Sequence, residues 1–99
     1  MSVLMTMRVS GDPQVIESAD QQMLDTVVER AKQHGLISHH FFGHENEVLV
    51  IDEWPDEESF KAFFDSSPEI AELMAAAGVT SQPNVEYWRP LDVNDSVGW

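Results

Sequence analysis

The sequence contains no cysteine and few basic side chains. Without thiols the chain can form neither a disulfide nor a thiolate metal site, and the absence fits a cytoplasmic protein. Five Lys and Arg residues oppose eighteen Asp and Glu residues, which gives a formal net charge of -13. Such a surface repels polyanions, because binding to nucleic acid requires clustered positive charge. We therefore expect neither nucleic acid nor a membrane as a partner.

Long apolar runs are also missing. No segment approaches the ~20 consecutive apolar residues that span a bilayer. The first ten residues alternate apolar and polar and lack the basic start of a signal peptide. Hydrophobic residues nevertheless make up 42% of the chain, which is enough for one packed core. We expect residues 1–99 to form a single cytoplasmic domain in which 92–99 is a loose tail, because nothing in those eight residues is periodic.

Periodicity and capping residues predict the element order β-α-β-β-α-β. The predicted strands are 2–9, 36–42, 47–54 and 84–91. One helix is predicted from Pro13 to the end signal at Gly35, because apolar residues recur at steps of three and four. A second helix begins at Asp56, is interrupted at 66–68, and continues over 69–77. The two central strands are predicted to form a hairpin with a four-residue loop at 43–46.

Two helices of this size can cover only one face of a four-stranded antiparallel sheet. The third strand is apolar on both faces over residues 48–51, and the first strand adds Leu4 to the uncovered face. Exposed apolar patches of this kind usually mark an interface, and a two-fold pair is the commonest assembly. We therefore predict an α+β domain that forms a homodimer, sheet against sheet.

Residues 48–74 carry a further pattern. A strand that ends in Glu-Trp runs into a capped helix with an aromatic centre, followed by a Ser-Pro break and a short helix. This stretch and the element order resemble the antibiotic-biosynthesis-monooxygenase-like proteins of the dimeric α/β-barrel superfamily. The resemblance implies a ferredoxin-like unit of strand order 4-1-3-2, two sheets packed into a barrel, and a small cavity between sheet and helices. Some members of that group oxygenate polycyclic phenols with no cofactor, others open haem, and many have no assigned reaction. The resemblance therefore implies one of these three for this chain.

The haem-degrading members of that group carry an Asn on the first strand, a Trp at the centre of the second helix and a His in the following helix. Here Met7 and Phe63 stand at the first two positions, and residues 69–77 contain no His. Haem degradation or haem binding is therefore the least favoured of the three activities.

Three polar residues are candidates for oxygenase chemistry: His40, Trp88 and Arg89. His39 and His40 are neighbours on a strand and point to opposite faces, so they cannot easily bind one metal ion. One of the two must face the helices, where a neutral imidazole can take a proton from a phenol. We assign that role to His40 and leave open which of the pair faces the cavity. Arg89 and Trp88 would steady the resulting anion. The structural alternatives are that the histidines simply lie on an edge strand and in the hairpin loop, and that Arg89 forms a surface salt bridge with one of the many carboxylates.

Seven apolar and aromatic residues recur at strand or helix spacing and are predicted to hold the ring of a ligand. They are Met5, Met7, Trp54, Phe60, Phe63, Met74 and Tyr87. Core packing explains the same spacing, because Met and Phe are ordinary core residues.

The leading hypothesis is a monooxygenase that acts on a small aromatic or polyketide-like phenol with no cofactor and no metal. The alternative is a non-catalytic dimeric module that binds or senses a small apolar or aromatic molecule. A closed cavity filled by Phe63 and Met74 would favour the binding module. An open cavity lined by a histidine and Arg89 would favour catalysis.

Overall fold

The computed structural model describes residues 2–76, 78–79 and 82–98. Its elements are β1 (Val3–Ser10), α1 (Pro13–Glu17), α2 (Gln21–Gln33), β2 (Ser38–His44), β3 (Glu47–Trp54), α3 (Glu57–Asp65), α4 (Pro68–Ala76) and β4 (Asn84–Trp88). The strands form one antiparallel sheet in the order β2-β3-β1-β4. The α+β, ferredoxin-like fold and the strand order implied by the resemblance are confirmed.

The first predicted helix is two helices, which corrects the single helix expected between Pro13 and Gly35. The break lies at residues 18–20, where the hydroxyl of Ser18 donates to the carbonyl oxygen of Gln14 at the end of α1. Asp20 then caps α2 by accepting a hydrogen bond of 3.0 Å from the backbone N–H of Gln22. Short polar side chains that bond to nearby backbone in this way compete with a continuous helix.

The hairpin turn is shorter than predicted. β2 continues to His44, so only Glu45 and Asn46 connect it to β3, and Glu45 adopts a φ of 52°. The predicted four-residue loop would have paired Phe42 with Glu47, whereas the structure pairs His44 with Glu47. The correction moves every residue of β2 by two positions along β3, so the same faces are kept but the partners change.

The other differences between the predicted and observed element boundaries lie in the C-terminal part of the chain. β4 ends at Trp88 instead of Leu91, two residues before Pro90, which has no N–H to offer a neighbouring strand. The helix predicted over 69–77 is α4, and residue 77 lies outside the described residues. Residues 92–98 contain neither helix nor strand and are exposed.

The core lies between the helices and one face of the sheet, here called the helix-side face. Alternate residues of β1 and β3 point into it, and Met5 and Trp54 are fully buried. α3 adds Phe60 and Phe63, whose rings contact Trp54 at centroid distances of 5.7 and 5.5 Å. Asp56 caps α3 by accepting from the backbone N–H of Ser59, as the sequence predicts.

The opposite face of the sheet, here called the open face, has no helix on it. Leu4, Phe42 and Trp88 lie there with 37–49% of their surface exposed. The indole Nε1 of Trp88 donates to the hydroxyl of Thr6 over 2.9 Å, which holds the indole flat along the neighbouring strand. The open face is therefore the apolar surface that the sequence predicts.

Candidate functional site

A cavity of about 80 Å³ lies between the helix-side face and the helices. Its walls are almost entirely apolar. β1 and β3 contribute Met5, Met7 and Val50, α2 contributes Val27 and Ala31, and α3 and α4 contribute Phe60, Phe63, Ile70 and Met74. Two polar side chains, those of His39 and Asp52, also line it. A hydrophobic pocket with a few convergent polar groups is the usual form of a small-molecule site.

The two polar side chains form a pair. The Nδ1 atom of His39 lies 2.7 Å from Oδ1 of Asp52, and the indole Nε1 of Trp54 donates to Oδ2 of the same carboxylate over 3.2 Å. Asp52 is only 5% exposed. Each of its two carboxylate oxygens lies within hydrogen-bond distance of one of these side chains. A carboxylate bonded to Nδ1 holds the proton on that nitrogen and leaves the lone pair on Nε2.

The pair results from the register of the sheet. His39 is directly opposite Asp52, which is opposite Met5, which is opposite Tyr87. Residues directly opposite one another in an antiparallel sheet point to the same face. His39 therefore faces the helices, and its ring also packs edge to face against Phe41 with 4.7 Å between centroids. The structure thus answers which of the two adjacent histidines faces the cavity.

His40 lies on the open face. It pairs with Ile51, which in turn pairs with Thr6, and these residues point away from the helices. Trp88 is on the open face as well, on the opposite edge strand. Arg89 is exposed and follows the end of β4. β2 and β4 are the two outer strands, three strand spacings or about 14 Å apart. The predicted catalytic group of His40, Trp88 and Arg89 is therefore corrected: the fold of one chain does not bring these residues together, and none of them lines the cavity.

The structure places most of the predicted ligand-binding residues at the cavity. Met5, Met7, Phe60, Phe63 and Met74 all line the cavity. Trp54 lies behind the wall, fully buried, where it supports Asp52. Tyr87 is on the helix-side face and contacts Phe60 at 6.3 Å between ring centroids, but it is outside the cavity wall.

Tyr87 has an altered acidity. Burial of the phenol raises the pKa of Tyr87, and the negative charge of Glu57 raises it further. The Nζ atom of Lys61 lies 5.9 Å from the centre of the ring. Tyr87 is therefore a neutral hydroxyl at ordinary pH and a poor proton acceptor.

Sequence reasoning missed Asp52 as a site residue. The signal was present in the hairpin. A two-residue turn at Glu45 and Asn46 places His39 opposite Asp52, whereas the predicted four-residue loop places His39 opposite Val50. Within the described part of the chain, no cluster of three or more His, Asp or Glu side chains could hold a metal ion.

The fold and this buried pair describe a class of protein: a small ferredoxin-like domain with an apolar, histidine-containing cavity under its helices. No protein-family model and no curated protein matches the sequence. Solved structures do match. A monooxygenase from the gene ActVA-Orf6 of Streptomyces coelicolor, in complex with nanaomycin D, has a TM-score of 0.69 and 16% identity, covering 97% of this chain and 93% of its own.

Two further similar structures extend the comparison. SnoaB, a cofactor-independent oxygenase from Streptomyces nogalater, has a TM-score of 0.62 and 15% identity, covering 93% of this chain and 95% of its own. NE2512 from Nitrosomonas europaea, a protein of unknown function, has a TM-score of 0.61 and 23% identity, covering 98% and 96%. The chain therefore shares the fold of these solved structures, two of which are named as a monooxygenase and an oxygenase. At these identities the likeness shows the fold alone.

Among the described helices, none has both the length and the apolar character needed to cross a bilayer.

Proposed function

We propose that the chain is a cytoplasmic, homodimeric, cofactor-independent oxygenase that acts on a small phenolic aromatic in the helix-side cavity. The observation that carries the proposal is the His39–Asp52 pair in an otherwise apolar wall. An imidazole of fixed tautomer beside an apolar cavity is a suitable general base for a phenol. Similarity in fold to SnoaB, a cofactor-independent oxygenase, and to the ActVA-Orf6 monooxygenase gives further support.

In the proposed reaction, Nε2 of His39 accepts the hydroxyl proton of the anthrol tautomer of an anthrone, that is, of the phenol that forms when the reactive CH₂ moves one of its two protons to the carbonyl oxygen. The electron-rich anion passes one electron to O2, and the resulting superoxide and carbon radical combine into a C–O bond. The histidinium then returns its proton to the peroxide as the O–O bond breaks and the second C–H proton leaves. The CH₂ becomes a carbonyl, one oxygen atom remains in the product, and the other leaves as water.

The negative charge of Asp52 contributes in two ways. It keeps the proton of the His39 ring on Nδ1, and it stabilises the imidazolium that forms when Nε2 takes the proton from the substrate. Trp54, by donating to the other carboxylate oxygen, fixes the orientation of Asp52. Met5, Met7, Phe60, Phe63 and Met74 supply the apolar contacts for the ring.

A second candidate function is a binding module without catalysis. The observation that favours it is the size of the cavity, about 80 Å³, because ligand pockets usually have about 300 Å³ or more. Phe63 and Met74 are among the residues that line it and limit its size. Arg89 lies elsewhere, and none of the described residues that line the cavity is Lys or Arg.

The test is aerobic incubation of the purified protein with a panel of anthrones. The oxygenase is expected to consume one O2 for each quinone formed and to place one labelled oxygen atom from isotopically labelled O2 in the product. Oxygen uptake no faster than in buffer, for every compound that binds, would reject catalysis in favour of the binding module.

The homodimer in this proposal is supported by the open face. Leu4, Phe42 and Trp88 are partly exposed on it, together with the apolar side chains of Leu49 and Ile51. A second copy of the chain, packed sheet to sheet, would remove these side chains from water.

A further inference from the structure

A second pocket, here called the outer groove, lies outside the cavity. It has a volume of about 570 Å³ and runs between α1 and the β2–β3 turn. Asp12, Pro13 and Glu17 form its α1 side. Phe42 and Glu45 form part of its hairpin side. The groove is open to solvent and of ordinary size for a small-molecule site, whereas the inner cavity is too small for a fused-ring aromatic.

The outer groove and the inner cavity share a wall. Ile16 of α1, Phe41 of β2 and Val48 of β3 line both spaces. Phe41 is 37% exposed although it points to the helix-side face, and its ring packs edge to face on His39. The side chain of Phe41 therefore covers part of the proposed base, whose side chain keeps 24% of its surface exposed.

The other part of this wall, Ile16, belongs to α1. α1 has five residues and none of them is buried, and the breaks at Asp12 and at residues 18–20 separate it from its neighbours. It rests on β2 through Pro13, which lies so near Gly43 that a Cβ at position 43 would be 2.7 Å from the Cβ of Pro13. Segments with few buried apolar contacts open at low cost, so α1 is the part of the wall that moves most easily.

The rim of the outer groove is acidic. Glu17 and Glu45 carry carboxylates there, and the carboxylate of Asp12 is already bonded to the backbone N–H of Gln14. Of the described residues that line the groove, none is Lys or Arg, and His44 is the one residue that can carry a positive charge. With a net charge of -13 on the whole chain, an anionic ligand is repelled from this rim.

We propose that the outer groove is the entrance and the second half of the ligand site, and that Phe41 and α1 separate the two halves. A fused-ring aromatic enters past Phe41, places its reacting ring beside His39 and leaves its polar end in the groove. The acidic rim selects ligands whose polar end is neutral or cationic and disfavours carboxylated ones. This inference rests on the proposed function, because it assigns the substrate class of the same site.

The experiment uses an engineered disulfide that holds α1 against β2 and can be reduced again. The natural chain has no cysteine, so Pro13→Cys with Gly43→Cys forms a unique pair that ties α1 to β2. Their Cβ atoms need a separation of about 3.5–4.5 Å, so α1 has to shift outward by about 1 Å for the bond to form. Association of a neutral hydroxyanthraquinone, which contains no CH₂ to oxidise, is followed by tryptophan fluorescence in the oxidised and reduced forms of the same protein.

We expect the disulfide to slow association at least ten-fold and its reduction to restore the rate. Phe41→Ala, which needs no disulfide, is expected to speed association several-fold, and Phe41→Trp is expected to slow it. Equal rates in the oxidised and reduced protein, together with no change in Phe41→Ala, would overturn the entrance. Absence of binding in the wild type and in Phe41→Ala would overturn it as well.

The charge selection is tested with a matched ligand pair. A carboxylated anthraquinone is expected to bind about five-fold more weakly than its neutral carboxamide, and the double variant Glu17→Gln, Glu45→Gln is expected to remove most of that difference. Equal affinity of the two ligands for the wild type would overturn the selection. Because neither ligand is turned over, failure of the oxygenase proposal appears separately, as binding without oxygen uptake on the anthrones.

Discussion

His39 and Asp52 face each other across the β2–β3 hairpin, with Nδ1 and Oδ1 2.7 Å apart. His40, the next residue, points to the opposite face of the sheet. Two adjacent histidines are thus placed in different environments: one lines an apolar cavity, and the other lies on the face that we propose as a dimer interface. This difference gives the most direct test of where the chemistry occurs.

We expect His39→Ala to lower kcat/KM for anthrone oxidation by about 10²–10⁴-fold, because general bases typically contribute that much. His40→Ala removes the same side chain from the open face and is expected to cause a much smaller loss. Oxygen uptake is measured for both variants at equal protein concentration, with circular dichroism to show that both are folded. A greater loss in His40→Ala than in His39→Ala would contradict the assignment of the base.

Asp52→Asn tests the role of the carboxylate. The amide of Asn can donate to Nδ1, which moves the ring proton to Nε2 and removes the base without changing the size of the side chain. We expect kcat to fall about 10²-fold or more with little change in KM. Raising the pH is not expected to restore it, because the tautomer and not the charge is wrong.

Asp52→Ala is the matched variant for stability. It leaves the buried indole N–H of Trp54 without its acceptor, and we expect the free energy of unfolding to fall by about 1–3 kcal/mol. Asp52→Asn can still accept that hydrogen bond through its carbonyl oxygen and should lose less. Urea denaturation of the two variants makes the comparison. Equal stability of Asp52→Ala and the wild type would show that the Trp54–Asp52 bond contributes nothing.

The open face predicts an assembly. Light scattering of the wild type should give about twice the 11.2 kDa mass of the chain. Leu4→Lys places a charge in the middle of the proposed interface and is expected to yield a monomer. Val97→Lys, in a tail position that is 96% exposed, is the control and should leave the dimer intact. A monomeric wild type at micromolar concentration would refute the sheet-to-sheet pair.

Tyr87 can be titrated without interference, because it is the single tyrosine of the chain. Burial and Glu57 both raise its pKa above the ordinary value of 10.0. The folded state therefore keeps the phenol proton at a pH where the unfolded chain has lost it. Stability should decline as the pH rises above 10.0, and the decline should end once the folded phenol ionises too.

Glu57→Gln removes one of the two causes. We expect the pKa of Tyr87, measured by the ultraviolet absorbance of tyrosinate, to move down towards its ordinary value without reaching it, since burial remains. Glu58→Gln, the next residue of α3, is the control. A shift that is equal in the two variants would show that Glu57 has no special effect on Tyr87.

The element order and the faces of the strands could be predicted from the sequence because they depend on local patterns. Alternation in β1 separates Met5 and Met7 from Leu4, and Asp56 caps α3 where an acidic residue precedes two others. The same patterns identified five residues of the cavity wall. The break in the first helix was missed because the apolar repeat continues through Ala19, although Ser18 and Asp20 bond to the backbone there.

The site could not be predicted to the same extent. Assigning His40, Trp88 and Arg89 to one site required knowing which strands are neighbours and which residues pair. Strand order places β2 and β4 at opposite edges of the sheet, and residue type alone contains no information about that distance. Asp52 was not selected because the hairpin register was off by two residues.

The sequence by itself determined the class of fold, the acidic charge and the two-faced apolar third strand, since each depends on composition or on residues near in the chain. Only the tertiary structure decided that His39, and not His40, meets Asp52 under the helices. The physical reason is the turn at Glu45 and Asn46: its length sets the pairing of two strands, and the pairing sets which polar groups lie directly opposite each other.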